Sequence, residues 1–203
     1  MGAAVPPGGC SPNEPPGGSS RERTPHPKTP ARVYYVWNRQ GRSDVAEIIK
    51  TRMCAELEGE FVVFLIGARI LKPWKVWKWW PVASAMAAMR KELAAQPEMG
   101  LLHAQDFNGF PDAMAVQYWR SFEHLEAYAK ARDHAHLPAW QSFYKKVGMD
   151  GDVGIWHETY VVTPGRYEAI YAGMPRFGLG MAGDLVDAVG ARQLARQRMK
   201  RAA

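Results

Sequence analysis

Residues 101–120 read LLHAQDFNGFPDAMAVQYWR, and this stretch decides the fold. Two strand-length segments, Leu101 to Phe107 and Ala113 to Arg120, flank Asn108-Gly109 and Pro111-Asp112. Those turn residues reverse the chain, so the stretch reads as an antiparallel hairpin. Working outward on the N-terminal side, Glu60-Phe-Val-Val-Phe-Leu-Ile66 is a β-rich apolar run closed by Gly67 and reads as a central strand. Pro73 then opens a Trp-rich segment, and Pro81 starts or kinks a helix. Its Trp79, Val82, Met86, Met89 and Leu93 fall at helical spacing, and the helix ends near Gln96-Pro97. On the C-terminal side, Ser121 caps a second helix with Phe122, Leu125 and Ala129 on its inner face. Pro138 predicts a bend or restart around 132–137, ahead of Trp140, Phe143 and Tyr144. Val153 to Thr163 is a fourth strand, and Tyr167 to Ala172, after the Pro164-Gly165 turn, a fifth.

The order β-α-β-β-α-β is the ferredoxin-like arrangement: an α+β domain with a four-stranded antiparallel sheet and two helices on one face, here with an extra C-terminal strand. The other face is left bare. Two copies packing face to face would cover it and give a closed homodimer. Around this domain, placed at 58–175, composition predicts appendages. Residues 1–31 are so rich in Pro, Gly and Ser that they read as a disordered tail. Residues 32–57 read as a weakly structured lead-in, and 176–203 as a loose basic tail.

The formal net charge of +6 invites a nucleic-acid reading, but its placement argues against one. Residues 190–203 carry five Lys/Arg and no Asp/Glu, and residues 1–50 carry seven against four, so the middle of the chain is near neutral. The two cysteines, Cys10 and Cys54, have neither metal-ligand nor disulfide-framework spacing. No apolar run reaches the ~18 residues of a membrane span, and neither a secretory nor a myristoylation signal is recognised, so a cytoplasmic protein is expected.

Five segments carry a family resemblance: Phe61-Val-Val-Phe-Leu-Ile-Gly-Ala-Arg69; Pro73-Trp-Lys-Val-Trp-Lys-Trp79; Val116-Gln-Tyr-Trp-Arg-Ser121 with His124-Leu125; Asp133-His-Ala-His-Leu-Pro-Ala-Trp140; and Gly154-Ile-Trp-His-Glu-Thr-Tyr-Val-Val162. As a set they resemble the fumagillin-pathway monooxygenase-like family of the dimeric α/β-barrel superfamily, related to antibiotic-biosynthesis monooxygenases. The resemblance covers roughly Met53 to Gly178. It implies the fold just derived, a homodimer, and a small cofactor-independent monooxygenase-like enzyme acting on a hydrophobic, enolisable or aromatic molecule in a barrel cavity. It carries no agreed catalytic residue.

Candidate site residues come from side-chain chemistry and strand parity. In cofactor-free oxygenation a base removes a proton and the carbanion reduces oxygen in a dry cavity, so one base and an anion holder are needed. His134 and His136 lie two apart on a helix and only one can face inward; the other reading makes them an exposed residue and a bridge at the helix break. His157 shares a strand face with Ile155 and Thr159, either as a base or as a core histidine bonded to backbone. Arg120 and Arg69 could hold a phenolate or carboxylate, or simply form ion pairs. Trp77, Tyr118 and Tyr160 complete a possible substrate wall. The Trp74 to Trp80 cluster, interleaved with Lys72, Lys75 and Lys78, reads as a core stripe with snorkelling lysines, a pocket mouth or a membrane-surface element. No metal site is expected. Two other functions compete: a haem enzyme of the aldoxime-dehydratase type, with His134, His136 or His157 as axial ligand, and a non-catalytic ligand-binding dimer.

Overall fold

The computed structural model describes residues 34–35, 45–131, 141, 143–145 and 147–201. The expectations for residues 1–31 and for the break around Pro138 lie outside the described residues. Two short strands, β1 (Tyr34–Tyr35) and β2 (Val45–Ala46), pair with each other ahead of β3 (Ile49–Glu56). The expected unit follows as β4 (Phe61–Ile70), α1 (Val76–Ala95), β5 (Leu101–Asn108), β6 (Asp112–Trp119), α2 (Phe122–Lys130) and β7 (Val153–Val162). Its four strands lie in the order β5-β6-β4-β7, every pair antiparallel, which is the ferredoxin-like topology.

Register separates the two faces of this sheet. Toward the helices point Val62, Phe64, Ile66 and Ala68 of β4, beside Trp119, Gln117, Ala115 and Ala113 of β6 and Val161, Thr159, His157 and Ile155 of β7. Val62, Trp119, Leu93, Leu125 and Tyr128 form the main core there. Trp119 is 1% exposed and its indole N–H donates to Gln117 Oε1 at 2.9 Å, so the largest core ring carries no unmet donor. At the start of α2, Ser121 Oγ accepts from the His124 backbone N–H at 3.4 Å, as expected of a cap. The inner face of α2 differs from expectation: Tyr128 is buried with Leu125, whereas Phe122 is exposed. Tyr128 gains a partner there, donating its hydroxyl to Glu92 Oε2 at 3.0 Å.

The opposite face carries Val63 and Leu65 of β4, Tyr118, Val116 and Met114 of β6, and Trp156, Glu158 and Tyr160 of β7. Its Phe61 end is covered by a second, three-stranded sheet in the order β8-β3-β9, with β8 at Tyr171–Met174 and β9 at Asp184–Asp187. Between and after these strands come α3 (Leu179–Ala182) and α4 (Ala195–Arg201). Among the described residues, 49–56 of the lead-in and 176–201 of the tail are therefore ordered partners, a correction to both expectations. The fifth strand sits at 171–174 in this second sheet, not at 167–172.

Apolar burial and ion pairs together explain why those flanks fold. Phe61, Ala55 and Leu179 are buried in a second core with Tyr167, Tyr171 and Leu185 packed on it. Tyr167 stands edge-on to Phe61, its hydroxyl accepting from Leu57 N–H at 2.8 Å and donating to Leu57 C=O at 2.9 Å. Arg192 grips Glu56 through two bonds of 2.6 and 3.0 Å. Arg198, 7% exposed, pairs with Glu168 and donates to the carbonyls of Arg192 and Gln193. Two of the five basic residues that suggested a solvated tail, Arg192 and Arg198, are thus structural donors.

The Trp-rich segment also departs from the core-stripe reading. Asp152, with no exposed surface, draws in Lys72 at 2.7 Å, Lys75 at 2.6 Å and Lys78 at 3.1 Å. Lys78 also reaches Asp150 at 2.6 Å. Lys72, then Lys75 and Lys78, hold the Asp152 carboxyl well below the usual carboxylate range. A buried carboxylate must be paired, so the lysines turn inward and Trp74, Trp77 and Trp80 turn out, each more than half exposed.

Candidate functional site

Small side chains facing each other across α1 and the sheet leave a void. Ala68, Ala113 and Ala115 on the strands oppose Ala83 and Ala87 on the helix, and a cavity of about 160 Å³ remains between them. Its walls are Ile66, Ile70, Val153, Ile155, Val82 and Met86, with the Trp79 ring at one side. Trp79 is fixed as a wall because its indole N–H donates to the Pro73 carbonyl at 2.9 Å. Gly67 belongs to the same lining; a Cβ there would meet the Ala113 carbonyl oxygen at 2.8 Å and the Trp156 ring at 2.7 Å, so β4 needs glycine where its neighbours approach.

The cavity's charged groups are Arg90 of α1 and Asp106 of β5, which form an ion pair with side chains 38% and 28% exposed. Arg90 lies between Met86 and Leu93 on the inward stripe of α1, and Asp106 points to the helix side of β5 opposite Ala115. A largely apolar chamber with a guanidinium, a carboxylate and the Asn108 amide in its lining can accept a proton and hold the anion that results. The sequence held one signal for it: Arg90 beside the otherwise apolar stripe of α1.

None of the described candidates named from sequence lines this cavity. His157 faces the helix side opposite Ile66 but is exposed, its ring 5.6 Å from Phe64. Arg120 is exposed just past β6. Arg69 makes a two-pronged ion pair with Asp112, at 2.6 and 2.8 Å, on the opposite face, which lowers the pKa of Asp112. Trp77 is 68% exposed. Tyr160 donates to Glu158 Oε2 at 2.6 Å, and that carboxylate pushes its phenol pKa up. Tyr118 lies on the open face under the second sheet, its phenol raised mainly by burial. His134 and His136 lie outside the described residues.

His103, not a candidate from sequence, stacks on Tyr118 with ring centroids 6.5 Å apart. Its Nε2 is buried without a hydrogen-bond partner among the described residues, and burial lowers its pKa. Among the described residues no group of three or more His, Cys, Asp or Glu could hold a metal ion, and no helix is long and apolar enough to cross a membrane. The described residues do not fit a haem at the cavity: its lining offers neither His nor Cys, and His157 stands outside it.

The strand order and the two helices on one face define an α+β protein of ferredoxin-like fold, and the comparisons name its family. The family described as Monooxygenase af470-like matches residues 61–179, and the chain belongs to that family. A curated relative, "Monooxygenase af470" of Aspergillus fumigatus, is 27% identical over 149 residues, covering 64% of this chain and 53% of the relative. The chain thus spans about half the length of that protein. Among solved structures, an aldoxime dehydratase in complex with butyraldoxime superposes with a TM-score of 0.50 at 15% identity, covering 68% of this chain and 42% of that one. SnoaB, a cofactor-independent oxygenase from Streptomyces nogalater, matches with a TM-score of 0.37 at 11% identity, over 51% of this chain and 93% of its own.

Proposed function

We propose that the cavity between α1 and the sheet is the site of a cofactor-independent monooxygenation of a hydrophobic molecule bearing an activated CH₂, as in an enolisable ketone or a phenolic ring system. The observation that carries this is the single Arg90–Asp106 pair in a chamber walled, apart from Asn108 and Gly67, by Ile, Val, Ala, Met and Trp. Asp106 takes a proton from the activated carbon, and Arg90 holds the enolate or phenolate oxygen as charge develops on it. The electron-rich carbon then reduces O₂ and bonds to its proximal oxygen. Loss of water from the resulting hydroperoxide leaves a carbonyl, so that CH₂ + O₂ gives C=O + H₂O. The apolar walls limit the water around the carbanion. The open sheet face carrying Trp156, Glu158 and Tyr160 favours a homodimer, and we read the protein as cytoplasmic.

Purified, metal-depleted protein is incubated with a panel of anthrones, naphthols and 1,3-diketones while oxygen uptake is recorded. Uptake with at least one member is expected, with kcat/KM lowered by roughly 10²–10⁴ in Asp106→Asn and roughly 10²–10³ in Arg90→Gln. Uptake unaffected by both substitutions, or absent across the panel, overturns the assignment.

A further inference from the structure

Three separate segments deliver exposed apolar side chains to one end of the molecule. Backbone bonds tie them together: Ile70 N–H to Pro111 C=O at 2.9 Å, and Leu71 and Lys72 N–H to Asp152 C=O at 3.0 and 3.1 Å. The α1 approach thereby sits beside the β5–β6 turn and the loop before β7. On these segments Leu71 is 53% exposed, Trp74 66%, Trp77 68%, Trp80 57%, Phe110 70% and Met149 85%. Single exposed apolar residues need no explanation, but six large ones gathered at one end do.

We infer that this end is a docking surface for a lipid bilayer, whose headgroup zone receives the three indoles while Phe110 and Met149 enter alongside. Indole is the side chain suited to that depth, with an apolar body for the acyl boundary and an N–H for the headgroups. Trp77 and Trp80, three residues apart, share one stripe of the first turns of α1, and Trp74 lies in the turn just before it. Charge complementarity favours lipid over a highly charged protein partner. Among the described residues, Arg69, Lys72, Lys75 and Lys78 are held in ion pairs with Asp112, Asp150 and Asp152, so these charges are paired before any approach to an interface. The buried Asp152 clamp also holds the tryptophan-bearing segment in place before contact, which lowers the ordering entropy of docking. The surface is continuous with the cavity: exposed Trp80 packs edge-on against Trp79, a cavity wall, at 6.1 Å. The docking inference does not depend on what reaction the cavity performs.

The full chain is floated with vesicles of phosphatidylcholine alone and of phosphatidylcholine mixed with phosphatidylserine, while tryptophan fluorescence is followed. Co-flotation with both is expected, with a blue shift and with binding retained at about 0.5 M salt, where surface charges are screened. The triple variant Trp74→Ser, Trp77→Ser, Trp80→Ser keeps both basic ends and is expected to bind roughly tenfold or more weakly. Its circular dichroism should match the parent because all three rings are exposed; a Phe110→Ser, Met149→Ser variant gives a second reading without touching α1. The inference is overturned by any of three results: no flotation of the parent, binding confined to phosphatidylserine and lost in salt, or tryptophan-dependent self-association in sedimentation without flotation.

Discussion

At His103 an irregularity in strand pairing decides which way a titratable ring points. Leu101 pairs with Trp119 on the helix side, and uninterrupted alternation would put His103 there as well. The register shifts between Leu101 and His103, so His103 pairs with Tyr118 and turns to the open face beneath the second sheet. Because burial lowers its pKa, the unfolded chain binds a proton more readily than the folded one. The contribution of neutral His103 is therefore complete above about pH 6.5 and drains as pH falls below that value. Chemical denaturation at pH 7.5, 6.5 and 5.5 is expected to show declining stability over that range, and His103→Gln should flatten the decline. An unchanged slope in the variant would refute the assignment. No alternation pattern announces such a bulge, which is why His103 was not legible from sequence.

The element that most repays attention is the start of α1. Its helical nature, its end at Gln96 and the inward placement of Trp79, Val82, Met86 and Leu93 follow from apolar spacing. The orientation of the other tryptophans does not, because it is set by Asp152, a residue some 75 positions downstream whose burial no local window reveals. The same holds for the cavity, whose void needs alanines from two strands and a helix to face one another. Asp152 holds its proton less tightly folded than unfolded, so its contribution is complete above the ordinary carboxylate range near ~4 and is lost as pH falls below it. Asp152→Asn is expected to lower the thermal midpoint at pH 7 by roughly 5 °C or more. It should also lessen the loss of stability on acidification; calorimetry at pH 7 and pH 3.5 measures both.

At the scale of the whole molecule, the family-matched segment 61–179 is not the folding unit, since the Phe61 end of its second face is covered by strands from either side of it. Cys54 reports on this: it is 1% exposed and pairs in register with Val186 of β9. In a Cys10→Ser background, removing residues 184–203 is expected to raise the rate of Cys54 labelling by a thiol reagent about a hundredfold. Equal rates would mean that β9 is dispensable. The pairing of β3 with β9 also bears on how the chain is made. Glu56 and its partner Arg192 lie 136 residues apart, so at ordinary synthesis speeds β3 leaves the ribosome about ten seconds before the segment that completes its sheet. During that interval a strand edge and the Phe61 side of the nascent sheet stand uncovered, a surface open to mispairing until residues 184–192 arrive.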